Sequence, residues 1–164
     1  MRKRTKRKHW PVECRVGYVI AGVQPIDPAR DALLLARETD AIEAFATDTA
    51  TIDHWRVIAD VANLAETLAG MGVGQAEVSP HVAAVEGALR ESHEQYVATK
   101  RVGTTPAGLQ SMRDLAEYHR LQRTAIGVAQ LERAIVLTQN RIRSAHPSLK
   151  QYINPIEENE GAAC

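Results

Sequence analysis

The chain has 164 residues, 45% of them apolar but only 4% aromatic, and its 20 basic and 20 acidic residues cancel. That length suits one domain with a core large enough to need neither metal nor disulfide, and Cys14 and Cys164, at opposite ends of the chain, make no disulfide scaffold. No apolar run approaches the ~20 residues of a membrane span, and so few aromatic rings argue against a base-stacking platform for single strands.

The balanced charge hides segregation. Residues 1–10 hold six Lys/Arg and no acid, residues 11–80 four basic and eleven acidic residues, and residues 100–150 nine basic and three acidic. Residues 1–10 therefore read as a disordered basic arm, since like charges repel and bury nothing. Arg2–Lys8 followed by Val16–Val23 imitates a secretory signal, but Glu13 and Arg15 interrupt the apolar part and Pro25 follows it. A cytoplasmic protein with reduced thiols is the expectation.

Val12, Val16, Val19, Ile20 and Val23 recur at helical spacing, although this β-branched run also suits a strand. Asp27-Pro28 starts a clearer helix, with Asp as N-cap and Pro in the first turn. Its stripe is Leu34, Leu35, Ala41, Ile42 and Phe45, and Arg37, Glu38, Asp40 and Glu43 are expected to face away. Thr51 caps the next helix, with Ile52, Trp55, Ile58, Ala62, Ala65, Leu68 and Ala69 at steps of three and four. Gly70, Gly72 and Gly74 end it. Ser79-Pro80 then predicts a helix start, with Val82, Val85, Leu89 and Tyr96 on the buried side.

A loop from Gly103 to Gly108 precedes the last third. Its apolar positions are Leu109, Met112, Leu115 and Ala116, then, beyond Gly127, Val128, Leu131, Ile135 and Ile142. One helix kinked near Gly127 and two helices with a tight turn there both satisfy this spacing. Pro147 ends the region, and residues 151–164 read as a flexible acidic tail. The fold class is all-α, a compact bundle of about five to six helices in a single domain over residues 11–150.

Few chemistries survive inspection. The six histidines include no pair at i,i+3 or i,i+4, and neither Cys-x-x-Cys nor Glu-x-x-His occurs, so no metal site is expected. His93 and His119 lie on or beside apolar stripes, as hydrogen-bonded core histidines do. Gly70-x-Gly72-x-Gly74 follows a helix, where a dinucleotide loop would follow a strand. The Gly103–Gly108 loop has Leu109 and Gln110 where a phosphate loop needs Lys and Ser/Thr. Asp114 and Glu117 share a helix face but sit among Arg113, Arg120 and Arg123, the usual pattern of a solvated ion-pair lattice. No catalytic residue and no cofactor is expected, and the chain reads as a binding protein, not an enzyme.

The basic features are the positive signal. Arg2, Lys3, Arg4, Lys6, Arg7 and Lys8 form a cationic arm suited to phosphate contacts. Arg113, Arg120, Arg123, Arg133, Arg141 and Arg143 load the last third with positive charge. Together these twelve residues are the candidate nucleic-acid-binding set, with duplex DNA the expected partner. Ala125-Ile126-Gly127-Val128 has the glycine and apolar residue of a helix-turn-helix turn, but Arg123 and Arg133 occupy positions where that motif packs small or apolar side chains. The competing expectation is a protein partner, met by the acidic 27–66 region or the basic last third. Such docking could also join two copies in a homo-oligomer.

The chain resembles a family of small helical proteins from proteobacterial genomes and prophages. The resemblance rests on Arg2-Lys3-Arg4-Thr5-Lys6-Arg7-Lys8, Ala41-Ile42-Glu43-Ala44-Phe45, and Ala50-Thr51 leading to Trp55. It continues through Asn63, Glu66-Thr67-Leu68-Ala69 and Gly103-Thr104-Thr105. It ends with Gly108-Leu109-Gln110, Met112-Arg113-Asp114-Leu115, Glu117-Tyr118-His119 and Asn140-Arg141-Ile142-Arg143-Ser144. Some relatives carry the label of Fis-like transcriptional regulators, which implies DNA binding. A prophage setting implies instead an inhibitor of host defence that blocks a protein surface. No catalytic or binding residues come with the resemblance.

Overall fold

The computed structural model describes residues 24–145. The basic arm, the 12–23 segment and the acidic tail lie outside those residues. Five helices follow one another: α1 (Pro28–Ala46), α2 (Ile52–Gly70), α3 (Gln75–Thr99), α4 (Pro106–Thr124) and α5 (Val128–Ser144). The fold is an all-α bundle, and the extended backbone among the described residues amounts to an isolated antiparallel bridge between Pro25 and Gly127.

The helix starts follow local chemistry. The Asp27 carboxylate accepts the Ala29 N–H at 3.1 Å ahead of Pro28. Thr51 forms a reciprocal cap with His54, whose Nδ1 accepts the Thr51 N–H at 3.1 Å. The Thr105 hydroxyl accepts the Gly108 N–H at 3.1 Å, with Pro106 in the first turn of α4. Removing that acceptor with Thr105→Ala should cost about 1 kcal/mol in a urea melt. An unchanged midpoint would mean that packing alone holds the start of α4.

α3 begins earlier than Ser79-Pro80 predicts. Gly74, left-handed at φ 66°, turns the chain out of the α2–α3 loop, and the helix starts at Gln75 with Pro80 inside it. Val78, 1% exposed, anchors this first turn in the core. Gly108 is helical, within α4. A Cβ there would stand 3.0 Å from the Ala88 Cβ, which measures how closely α3 and α4 approach.

α2 packs against all four other helices, and α5 rests chiefly on α2. The larger core gathers Phe45, Trp55, Ile58, Val82, Val85, Met112 and Leu115 between α1, α2, α3 and α4. A smaller one joins Ile26, Leu68, Ile126, Leu131 and Ala134 where the chain reaches α1 and where α5 begins. Each fully buried Leu or Ile here contributes roughly 1.5–3 kcal/mol. Between α4 and α5 the chain turns at 125–127 with Gly127 as N-cap. The choice between one kinked helix and two is settled as two.

Two faces differ from expectation. Leu35 is 40% exposed, whereas Glu38, expected outside, is 5% exposed. The reason lies on α4, where Arg123 enters the interior and draws Glu38 inward.

Candidate functional site

The twelve basic candidates separate into groups. Arg2, Lys3, Arg4, Lys6, Arg7 and Lys8 lie outside the described residues. Arg123 is 2% exposed, so its guanidinium belongs to the interior and not to a phosphate-binding surface. Arg120 makes a two-pronged contact with Glu117, at 3.0 and 2.7 Å. Arg141 pairs with Glu66 and donates to the Asn63 carbonyl and side-chain oxygens, each at 3.1 Å. Arg113, Arg133 and Arg143 are exposed and form no ion pair among the described residues. Arg133 and Arg143 lie on α5, with the exposed Gln130 and Asn140 between and beside them.

The chain's approach to this helix is fixed. The Val128 N–H donates to the Gln24 carbonyl at 3.0 Å, next to the Pro25–Gly127 bridge. Ile26 is buried immediately after, beside Ile126 and Leu131. Gln24, Pro25 and Ile26 are thus fixed at the first turn of α5.

Arg123 organises a buried polar cluster. Its Nε donates to Asp31 Oδ1 at 2.7 Å and its Nη1 to Glu38 Oε1 at 2.6 Å. One guanidinium therefore faces two carboxyl groups, and Glu38 Oε2 and Arg123 Nη2 have no hydrogen-bond partner among the described residues. Burial pushes the Glu38 carboxyl up, more than the adjacent Arg123 pulls it down. Glu38 therefore gives up its proton less readily than a free glutamate does. His119, one turn before Arg123, is held neutral. Burial and then the Arg123 charge lower it to about 4, against a hydrogen bond with Gln122 at 3.3 Å. Gln122 in turn donates to the Ala65 and Val73 carbonyls at 3.1 and 2.8 Å, tying α4 to α2 and to the loop after it. Arg123 and Glu38 are closed to solvent, and Asp31 alone of the three charged groups is partly exposed. The cluster's role is to hold α1, α2 and α4 in register.

An open groove of about 430 Å³ lies between α2, α3 and the last turn of α5. Its floor is apolar, made by Trp55, Ala59, Ala62 and Leu89, and Trp55 Nε1 donates to the Leu89 carbonyl at 3.0 Å. Glu66, Glu86, Arg90 and Arg141 stand around it, and Ile142 and Ala145 close one end. Partial burial and the neighbouring Glu66 push the Glu86 carboxyl up. Sequence reading found Trp55, Ala62 and Leu89 as core and missed the groove, because its lining comes from two helices adjacent in sequence and from a third, far along the chain.

Among the described residues, no three His, Cys, Asp or Glu are placed to hold a metal ion, and no helix is long and apolar enough to cross a membrane. Comparison with family models, with curated proteins and with solved structures gives no match to this chain, so no relative lends it a function.

Proposed function

We propose that the chain is a non-enzymatic helical accessory protein that binds nucleic acid, duplex DNA by preference, with the basic arm as its main contact. The observation that carries this reading is the pinning of Gln24 and Pro25 to Gly127 and Val128. It holds residue 24, the first described residue after the arm in sequence, at the helix that presents Arg133 and Arg143. Arg113 and the partly engaged Arg120 and Arg141 are the lesser contacts, and Arg123 drops out. The body itself is acidic, since residues 24–145 hold 12 Lys/Arg against 16 Asp/Glu. Affinity must therefore come from the arm, and the body orients it by turning its acidic surface away from the phosphates.

The expected result is duplex binding that falls steeply with salt. Six phosphate contacts from the arm correspond to a slope of about −5 in log K against log salt. Deleting residues 2–8 should remove most of that slope, read by fluorescence anisotropy on a labelled duplex. An undiminished slope in the truncated chain, or no binding by the full chain at low salt, would refute the arm's role.

A second reading has its own support in the acidic body and the Trp55 groove. It is a protein-binding inhibitor or adaptor, of the kind an anti-defence protein would be. A stoichiometric protein retained from nuclease-treated lysate would favour it over the first.

A further inference from the structure

We propose that the outward face of α5 reads base sequence in the major groove of duplex DNA, with Arg133 and Asn140 as its specificity-determining residues. The inference rests on the duplex-binding reading above and deepens it: the arm supplies affinity, and α5 supplies preference for one sequence over another. Asn140 is uncharged and lies outside the basic candidate set.

What α5 turns outward sets it apart from the other helices. Leu131, Ala134 and Thr138 are buried on its inner side, which leaves the opposite side to solvent. Arg133, Val136, Asn140 and Arg143 stand there at i, i+3, i+7 and i+10, one exposed stripe. Val136 is 54% exposed and Leu137, beside it, 41%. α5 has one acid, Glu132, against Arg133, Arg141 and Arg143, whereas α3 exposes Glu77, Glu86, Glu91 and Glu94 against Arg90. A polyanion therefore meets less repulsion at α5 than along α3.

The side chains on the stripe are also free to act. Arg56, Arg120 and Arg141 are each engaged by a carboxylate. The Arg133 guanidinium and the Asn140 amide have no such partner among the described residues. Both groups match base edges as well as phosphate. A guanidinium donates two parallel N–H bonds to guanine O6 and N7. An asparagine amide donates to adenine N7 and accepts from its N6–H, and an exposed aliphatic side chain such as Val136 packs on a thymine methyl.

Dimensions agree. The seven residues from Arg133 to Asn140 rise ~10 Å along the helix, about three base-pair steps of ~3.4 Å. The two residues thus bracket a site of about four base pairs with Val136 between them. The major groove admits one helix, and α5 rests chiefly on α2, with little contact to α4 beyond the 125–127 turn. The face therefore acts as a single helix lying in the groove, without the crossed partner helix of a helix-turn-helix.

Selection from a pool of random-sequence duplexes tests this on the full chain, at a salt concentration of about 0.15 M. The expected result is enrichment of one motif of about four base pairs. Fluorescence anisotropy then compares the enriched duplex with a scrambled one, and the wild type should prefer the first by at least about ten-fold. Asn140→Ala should lower that preference at least about five-fold, with affinity for the scrambled duplex and the salt slope unchanged. Arg133→Lys keeps the charge but loses the paired donors, so it too should lower the preference and spare the slope. Arg113→Ala, on α4, should weaken both duplexes equally. Both α5 positions are exposed, so an unchanged urea midpoint certifies that each variant is folded. Binding without enrichment, or a preference that survives both α5 variants, overturns the inference and leaves the arm's role standing. No binding of any duplex at low salt overturns both.

Discussion

Arg123→Met is expected to destabilise the protein by about 3–5 kcal/mol, because it strands two carboxyl groups that the guanidinium now neutralises. Glu38 bears most of this cost. Its side chain is 6% exposed, against 30% for Asp31, so Asp31 can turn to water and Glu38 cannot. The partner change decides the interpretation. Arg123→Met with Glu38→Leu replaces the buried pair by apolar groups and should recover most of the loss. Urea denaturation of the wild type, the two single variants and the double variant completes the cycle. A cost under about 1 kcal/mol for Arg123→Met would show that the cluster does not hold α1 against α4.

Acid should weaken the protein through His119. Its folded value of about 4 lies below the ordinary value of 6.5, so the unfolded chain binds the proton more tightly. Stability is complete above about pH 6.5, falls as pH drops, and the full loss is reached below about pH 4. Between pH 7 and 5 the loss from this residue is about 2 kcal/mol. Glu38 works in the opposite sense: its raised value means the folded state holds its proton better, so acidification relieves part of the strain. His119→Gln separates the two. The variant should follow a stability–pH curve flatter by about 2 kcal/mol over that interval. Parallel curves would place the titration elsewhere.

The helices were largely legible because their signals are local. Asp27-Pro28 and Thr51 cap in the structure as their chemistry requires, and the stripe of α2 from Trp55 to Ala69 is buried as its spacing predicts, whereas the last-third helix begins at Pro106, inside the stretch read as a loop. Ser79-Pro80 misled, since a proline near a helix start is tolerated inside it once Gly74 has set the first turn. The buried cluster was legible in principle. Glu38 keeps the register of Leu34, Ala41 and Phe45, and Arg123 continues that of Met112, Leu115 and His119. A charge in step with an apolar stripe on one helix, and its opposite on another, is the signal of a buried pair. Reading each charge as solvated, by type alone, hid it. The groove was not legible, because no local pattern states which helices α5 will meet.

α5 meets the bundle through α2, and that single dependence sets the order in which the molecule can come apart. Loss of the Leu131 and Ala134 contacts to Leu68 would release α5 while α1–α4 keep their own core. Arg141 and Ile142 would leave with it, so the Trp55 groove would lose its end wall in the same event. The anchor at Gln24 would lose Val128 as well. Gln24 and Ala145, the first and last described residues, are thus both held by one detachable helix, and its opening would release them together.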